Sequence, residues 1–366
     1  MANDIYFGDR NKRPNSRHDK PLTEAKPSPF VERFETDASV SEEHGGQRHS
    51  EKTPPKRKNK RKKKSGGRIF LSAVSVLLAA VLLLCIGAAA AAGYMLKDYS
   101  ALPFEDSGYV QASAAVKNSG IYNILMMGID TLDTNADTRS DAMILLSVDP
   151  EGKKLKLTSF MRDSYVEIPG HGFAKLNAAC VYGGPQLVVD TIEYNFGVKI
   201  DAYAKIGYDV FVELVDGIGG ITIPEIDETE AAALAYEGFD APVGKDIELN
   251  GQQALLYCRI RKGQSDFNRT ARQREAITLI VKKAMKTNPA KLISLAKSIV
   301  GKMQCSIDKS QFYSLAIKAV PCLFSDIEQA RVPADGTWYN DSRNSQAVLI
   351  VDFEQNKEYI QNFIYE

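Results

Sequence analysis

The chain has 366 residues, 46 of them Lys or Arg and 46 Asp or Glu, so its formal net charge is zero. Residues 1–68 carry 18 basic against 10 acidic side chains, which leaves the remainder acidic by 8. That asymmetry argues against a general basic surface on the larger part and makes any local cluster of arginines there a candidate site for one particular anion.

Residues 1–68 are rich in polar residues and Pro, lack an apolar period, and are expected to form a disordered basic tail. Residues 69–96 contain no charged side chain and are long enough for a transmembrane helix. The segment is longer than the apolar region of a signal peptide and lies behind a polar tail, which favours an anchor. The run Lys56-Arg-Lys-Asn-Lys-Arg-Lys-Lys-Lys64 could suit nucleic acid, but its position against the apolar segment marks a cytoplasmic flank. The expected topology is a single pass through the cytoplasmic membrane, with the N-terminus inside and the larger region on the outer face. Residues 97–120 read as a juxtamembrane linker and 121–366 as one extracytoplasmic domain.

Within that domain Ile121 to Gly128, Ala142 to Asp149 and Leu155 to Phe160 read as strands, the last two joined by the turn at Pro150-Glu-Gly152. Ala174 to Tyr182 reads as a short helix, and Pro185 opens another. A strand over Tyr203–Ile206, a helix over Tyr208–Val215 and a short strand over Ile221–Ile223 follow. Asn250 caps a helix through Leu256, and Arg269 to Lys286 is a helix with an apolar stripe. Further helices are expected near 290–301 and 311–320, a strand near 328–332, and a last helix from Asn344 or Glu354. Strands mixed with helices imply a layered α/β fold, and the tight turn between the second and third strands makes the sheet partly antiparallel.

Five arginines, Arg259, Arg261, Arg269, Arg272 and Arg274, crowd one stretch. Guanidinium groups match phosphate oxygens with paired hydrogen bonds. Arg139 and Arg162 emerge at strand ends beside Asp130 and Asp141, where open α/β sheets bind ligands. Two carboxylates at neighbouring strand mouths suit a hard cation such as Mg²⁺, although Asp is also a common turn former. Arg269, Arg272 and Gln273 fall on one helical face. Asp266 is either a helix cap or an acid that positions an arginine or a nucleophile. Lys175 opens a helix and is unremarkable by itself. The larger region has one histidine, His171, and neither a P-loop nor GxGxxG, so Ser-His-Asp and nucleotide-fold chemistry have little support. Aromatic residues do not alternate with basic ones as a nucleic-acid surface requires. Cys180, Cys258, Cys305 and Cys322 allow disulfides, Cys305 with Cys322 for one, or buried thiols.

Together, Leu125-Met-Met-Gly-Ile-Asp130, Thr138-Arg-Ser-Asp141, Met161-Arg-Asp163, Lys175-Leu-Asn-Ala-Ala179, Leu214-Val-Asp-Gly-Ile-Gly-Gly220, Leu249-Asn-Gly-Gln-Gln-Ala-Leu255, Arg259-Ile-Arg261 and Ser265 to Arg274 resemble the LytR-CpsA-Psr family. The resemblance implies a three-layer α/β/α sandwich with a mixed central sheet and a lipid pocket beside it. It implies an enzyme that moves a glycopolymer, such as a teichoic acid or capsule, with one phosphate from a polyprenyl-pyrophosphate carrier to a hydroxyl of peptidoglycan. In that reading Asp130 and Asp141 hold Mg²⁺. Arg139, Arg162, Lys175, Arg259, Arg261 and Gln273 hold the pyrophosphate. Arg162, Asp266 and Arg269 act at the reacting centre. The family often has Gly where this chain has Asn268. The other readings are a pyrophosphatase using the same residues and a membrane-anchored glycan or lipid receptor with a regulatory role.

Overall fold

A computed structural model describes residues 100–110, 120–129, 138–261 and 265–366. The expected tail and apolar segment lie outside the described residues, as does Asp130. Among the described residues no helix is long and apolar enough to cross a membrane.

The chain runs through β1 (Tyr122–Ile129), β2 (Ser140–Asp149), β3 (Lys154–Phe160), β4 (Tyr165–Ile168) and β5 (Gly172–Lys175). Then come α1 (Ala179–Phe196), β6 (Ala202–Ile206), α2 (Tyr208–Gly217), β7 (Ile221–Ile226), α3 (Glu228–Tyr236), β8 (Gly244–Leu249) and α4 (Gly251–Arg259). The remainder is α5 (Asp266–Ala284), α6 (Pro289–Val300), β9 (Gln304–Cys305), α7 (Lys309–Ala319), β10 (Ile327–Val332), β11 (Trp338–Arg343), β12 (Gln346–Val351) and α8 (Phe353–Tyr365). Six strands form one sheet in the order β10-β3-β2-β1-β6-β9. β1 runs antiparallel to β2 and parallel to β6, and β3 runs antiparallel to β2 and parallel to β10. The mixed sheet expected from the turn at residues 150–152 is therefore present.

This topology sets the site. The C-terminal ends of β1, β3, β6 and β10 and the N-terminal end of β2 lie along one edge. Strand alternation sends Leu125, Met127, Met143, Leu145 and Phe160 to one face, where Val188 and Ile192 of α1 and Ile360 and Ile364 of α8 cover them. The opposite face carries Ile124, Leu146 and Ala202, packed near Phe312 and Leu315 of α7. Helices thus cover both faces of the sheet.

A second apolar cluster joins α2 to α6 with the β7–β8 hairpin, and two of the sequence motifs meet there. The backbone N–H of Gly251 donates to Asp216 Oδ1 at 2.7 Å. A Cβ on Gly251 would lie 2.4 Å from the carbonyl oxygen of Val212, so the glycine is what lets α4 approach the α2 backbone. Asn250 caps α4 in a reciprocal capping box with Gln253. Gly251→Ala is expected to cost about 1–3 kcal/mol through this overpacking, and Asn250→Ala about 1 kcal/mol. Urea unfolding of the two variants checks both values and their order.

The structure extends or amends several elements. Ala174 and Lys175 belong to β5, paired with β4, and the helix that follows begins at Ala179. Gly183 and Gly184 break α1 ahead of Pro185, as the proline placement suggested. Three hairpins, β4–β5, β7–β8 and β11–β12, were not read from the sequence. None of the four cysteines forms a disulfide, and Cys180, Cys258 and Cys322 are buried.

Candidate anion-binding site

At the strand-end edge Arg162 joins three carboxylates. Its Nη1 donates to Asp141 Oδ1 at 2.6 Å, its Nη2 lies 3.4 Å from Asp266 Oδ1, and its Nε lies 3.6 Å from Asp163 Oδ2. Burial by itself would lower the Arg162 pKa, but Asp266, Asp141 and Asp163 together hold it above its ordinary value. Arg269 is 2% exposed and donates through Nη2 to Asp266 Oδ2 at 3.0 Å and to the Asp141 carbonyl at 3.2 Å. Burial pushes its pKa down to about 10, with Asp266 opposing and Arg162 and Arg261 reinforcing the shift. Lys175 donates to Asp163 Oδ1 at 2.7 Å. Arg261 reaches within 4.0 Å of Asp141 Oδ2.

Four cations and three carboxylates are thereby interleaved at one place. The carboxylates supply the countercharge that an incoming anion would replace or supplement. Arg162 Nε, Arg269 Nε and Gln273 Oε1 are buried and make no hydrogen bond among the described residues. Buried polar groups normally find partners, so the two guanidinium Nε atoms make this cluster a candidate ligand site.

Local sequence explains the placement. Ser265, not Asp266, caps α5, accepting from the backbone N–H of Asn268. That frees the Asp266 carboxylate, on the first turn, to reach Arg269 one turn later. Asn268 is an ordinary helical residue here, so the family's frequent glycine at this position is not required. Arg139 is exposed at the edge, just before β2.

The five arginines of the crowded stretch do not act as one group. Arg259 lies over the Tyr208 ring, 4.8 Å from its centroid, and lines a surface groove of about 900 Å³ between α2, α4 and α6. Arg272 and Arg274 are 5% and 9% exposed. Arg272 therefore does not share the site face of Arg269 and Gln273. It donates to the Ile260 carbonyl at 2.7 Å and to Glu230 at 3.3 Å, fixing the backbone between Arg259 and Arg261. Arg274 donates to Ser159 Oγ at 2.8 Å, tying α5 to β3. Asp163 was not singled out from the sequence; its position directly after Arg162 was the available signal.

Glu275 accepts from the Tyr257 hydroxyl at 2.9 Å. Burial first, then the nearby Glu230 charge, raises its pKa against the opposing Tyr257 hydrogen bond. A raised carboxylate pKa means the folded state holds the proton more tightly. The associated stability is complete below the unfolded value near 4.3 and is lost as pH rises through the folded value. The urea midpoint of the parent chain is expected to fall relative to that of Glu275→Gln between pH 4.5 and 7.5; a constant difference would contradict the shift.

The fold and the cluster define an α/β domain with interleaved arginines and carboxylates at a sheet edge. The model of the LytR_cpsA_psr family matches residues 95–362, and the chain belongs to that family. The polyisoprenyl-teichoic acid–peptidoglycan teichoic acid transferase TagU of Bacillus licheniformis is 36% identical over 171 residues, 46% of this chain and 54% of that protein. The chain thus spans a little over half the length of curated relatives such as this one. A structure of TagT bound to LIIa-WTA superposes with a TM-score of 0.59 at 23% identity, covering 73% of this chain and 98% of that one. TagT with bound octaprenyl pyrophosphate lipid gives 0.56 at 22% identity, covering 72% and 98%. At these identities the structural likeness establishes the fold.

Proposed function

We propose that the domain transfers a glycopolymer, with its proximal phosphate, from a polyprenyl-pyrophosphate carrier to a hydroxyl of peptidoglycan on the outer face of the cytoplasmic membrane. The observation that carries this reading is the Arg162 cluster, in which the guanidinium Nε atoms of Arg162 and Arg269 are buried and make no hydrogen bond among the described residues. A relative named as a teichoic acid transferase and a fold neighbour solved with a polyprenyl pyrophosphate support the chemistry.

Phosphoryl transfer needs charge neutralisation and alignment rather than a protein nucleophile. Arg162, Arg261 and Arg269 would grip the pyrophosphate oxygens, with Arg139, Lys175 and Gln273 around them; Arg259, expected in this set from the sequence, is instead turned to Tyr208 by the bend at Ile260. Asp266, oriented by Arg162 and Arg269, would receive the proton of the attacking hydroxyl. The hydroxyl oxygen bonds to the sugar-side phosphorus, the bridging P–O bond breaks, and polyprenyl phosphate leaves.

The sheet face beside the cluster suits the lipid. Met126, Gly128, Ala142 and Ile206 lie on the inner strands β1, β2 and β6, yet all four are only partly buried. Inner strands of a covered sheet are ordinarily fully buried, so this apolar strip is open to a chain sliding along it.

Of the two expected ligands Asp141 alone lies among the described residues, and it leaves one carboxylate oxygen for a divalent cation. Asp141 Oδ1 is bound by Arg162 at 2.6 Å, while Oδ2 stands 4.0 Å from Arg261, beyond hydrogen-bond range. Mg²⁺ typically takes one or two carboxylates and completes its shell with water and phosphate oxygens. Asp141, with Asp130, would hold it, and the ion would supply neutralisation of phosphate charge. Mass spectrometry of lipid extracted from the purified full-length protein tests the donor: a polyprenyl pyrophosphate is expected, and co-purification of phospholipid alone would contradict the assignment.

A further inference from the structure

The β4–β5 hairpin leaves the reaction site at Asp163 and returns to it at Lys175. Its register pairs Tyr165 with Lys175 and Glu167 with Phe173. Alternation therefore puts Tyr165, Glu167, Phe173 and Lys175 on one face, while Val166 and Ile168 fill the core on the other. On the outward face Tyr165 and Phe173 stack, with centroids 5.6 Å apart and planes 29° apart. A second near-parallel pair, His171 and Tyr182, stands at the hairpin turn with centroids 5.1 Å apart. Phe173 is 55% and Tyr182 48% exposed. Large aromatic side chains left this exposed on and beside one hairpin are candidates for a binding surface.

We propose that this hairpin is the ledge on which the acceptor glycan strand lies, its sugar rings stacked on the two aromatic pairs and its reacting hydroxyl delivered toward Asp163 and Arg162. The proposal rests on the transfer reading above. A pyranose ring offers C–H bonds on a face and hydroxyls around its rim. A flat aromatic pair with polar groups alongside matches both. Glu167, which accepts from the Tyr194 hydroxyl at 3.3 Å, and Lys175 provide that rim. Docking on an anionic bilayer is the weaker fit, because such surfaces use clustered free Lys and Arg. The one lysine on the outward face is held by Asp163 at 2.7 Å. Continuity with the reaction site is direct: Lys175 binds Asp163, whose carboxylate lies 3.6 Å from Arg162 Nε. The Asp163 carbonyl also accepts from the backbone N–H of Leu349 of β12 at 2.9 Å, which fixes the start of the hairpin.

The test uses the full-length chain in detergent, comparing the parent with Phe173→Ala/Tyr182→Ala and with Phe173→Trp. Three binding readouts are needed: co-sedimentation with purified peptidoglycan sacculi, co-sedimentation with anionic phospholipid vesicles, and displacement of a fluorescent polyprenyl-pyrophosphate analogue. The double variant is expected to lose at least tenfold in sacculus retention while analogue binding stays within twofold; Phe173→Trp, which keeps a ring, retains the parent's behaviour. If the double variant fails to fold, Phe173→Ser is read the same way. Unchanged sacculus retention overturns the ledge, and so does a loss confined to binding of anionic phospholipid vesicles. Failure of the transfer reading would look different: the parent would bind sacculi through the hairpin yet form no covalent glycan product.

Discussion

Arg162→Ala is expected to reduce glycan transfer about a thousandfold, the scale on which a single charge-stabilising group contributes to acyl or phosphoryl transfer. Among the described residues the Arg162 side chain is the one cation that touches Asp141, Asp163 and Asp266 together. Its removal takes a phosphate ligand away and leaves three carboxylates facing one another without their shared countercharge. Both effects repel a pyrophosphate, so donor binding and turnover should fall together. Arg162→Lys keeps the charge but cannot span three carboxylates with a planar fork; it should recover part of donor binding and little turnover. Steady-state assays with lipid-linked glycan and sacculi measure both parameters.

Arg272→Ala is expected to lower folding stability by about 3–5 kcal/mol, the cost of stranding a buried charge. Glu230 lies 3.3 Å from the Arg272 guanidinium, and burial already raises its pKa against the opposing helix-cap hydrogen bond and arginine. Without Arg272 the acid is uncompensated and the Ile260 carbonyl loses its donor. Because Ile260 separates Arg259 from Arg261, activity should decline even at temperatures where the variant is folded. The pair Arg272→Met with Glu230→Gln removes both charges and should regain most of the stability but not the ordering of Ile260. Denaturant unfolding beside activity separates the two effects, and a single variant as stable as the parent would contradict the role.

The sequence made the sheet edge legible because its residues are local signals. A buried strand ending in glycine, a tight turn and a Met-Arg-Asp sequence after a strand place Arg139, Asp141 and Arg162 at strand mouths. The division of labour among the five arginines was not legible. Arg269 and Arg272 sit three residues apart with similar neighbours, and only the packing of α3 and the end of α4 against α5 decides which one is buried against Glu230. Arg259 and Arg261 straddle one residue, and the backbone turn at Ile260 after α4 separates them: one meets Tyr208, the other Asp141. The hairpins were missed for a related reason. β4 and β5 have four residues each and β8 is mostly polar, so neither presents the apolar alternation that betrays a longer strand. The motif glycines, by contrast, gained a physical reason only from the structure, where Gly251 lies against Val212 and Gly220 against Leu249.

The central claim is that a phosphate travels with the glycan. It is tested most directly by following a donor labelled with ³²P at the sugar-side phosphate, incubated with the full-length protein, Mg²⁺ and sacculi. The account requires the label to become covalently attached to peptidoglycan in a phosphodiester, with unlabelled polyprenyl phosphate released. Label recovered only on soluble glycan phosphate, in amounts independent of sacculi, would show water to be the acceptor and contradict it.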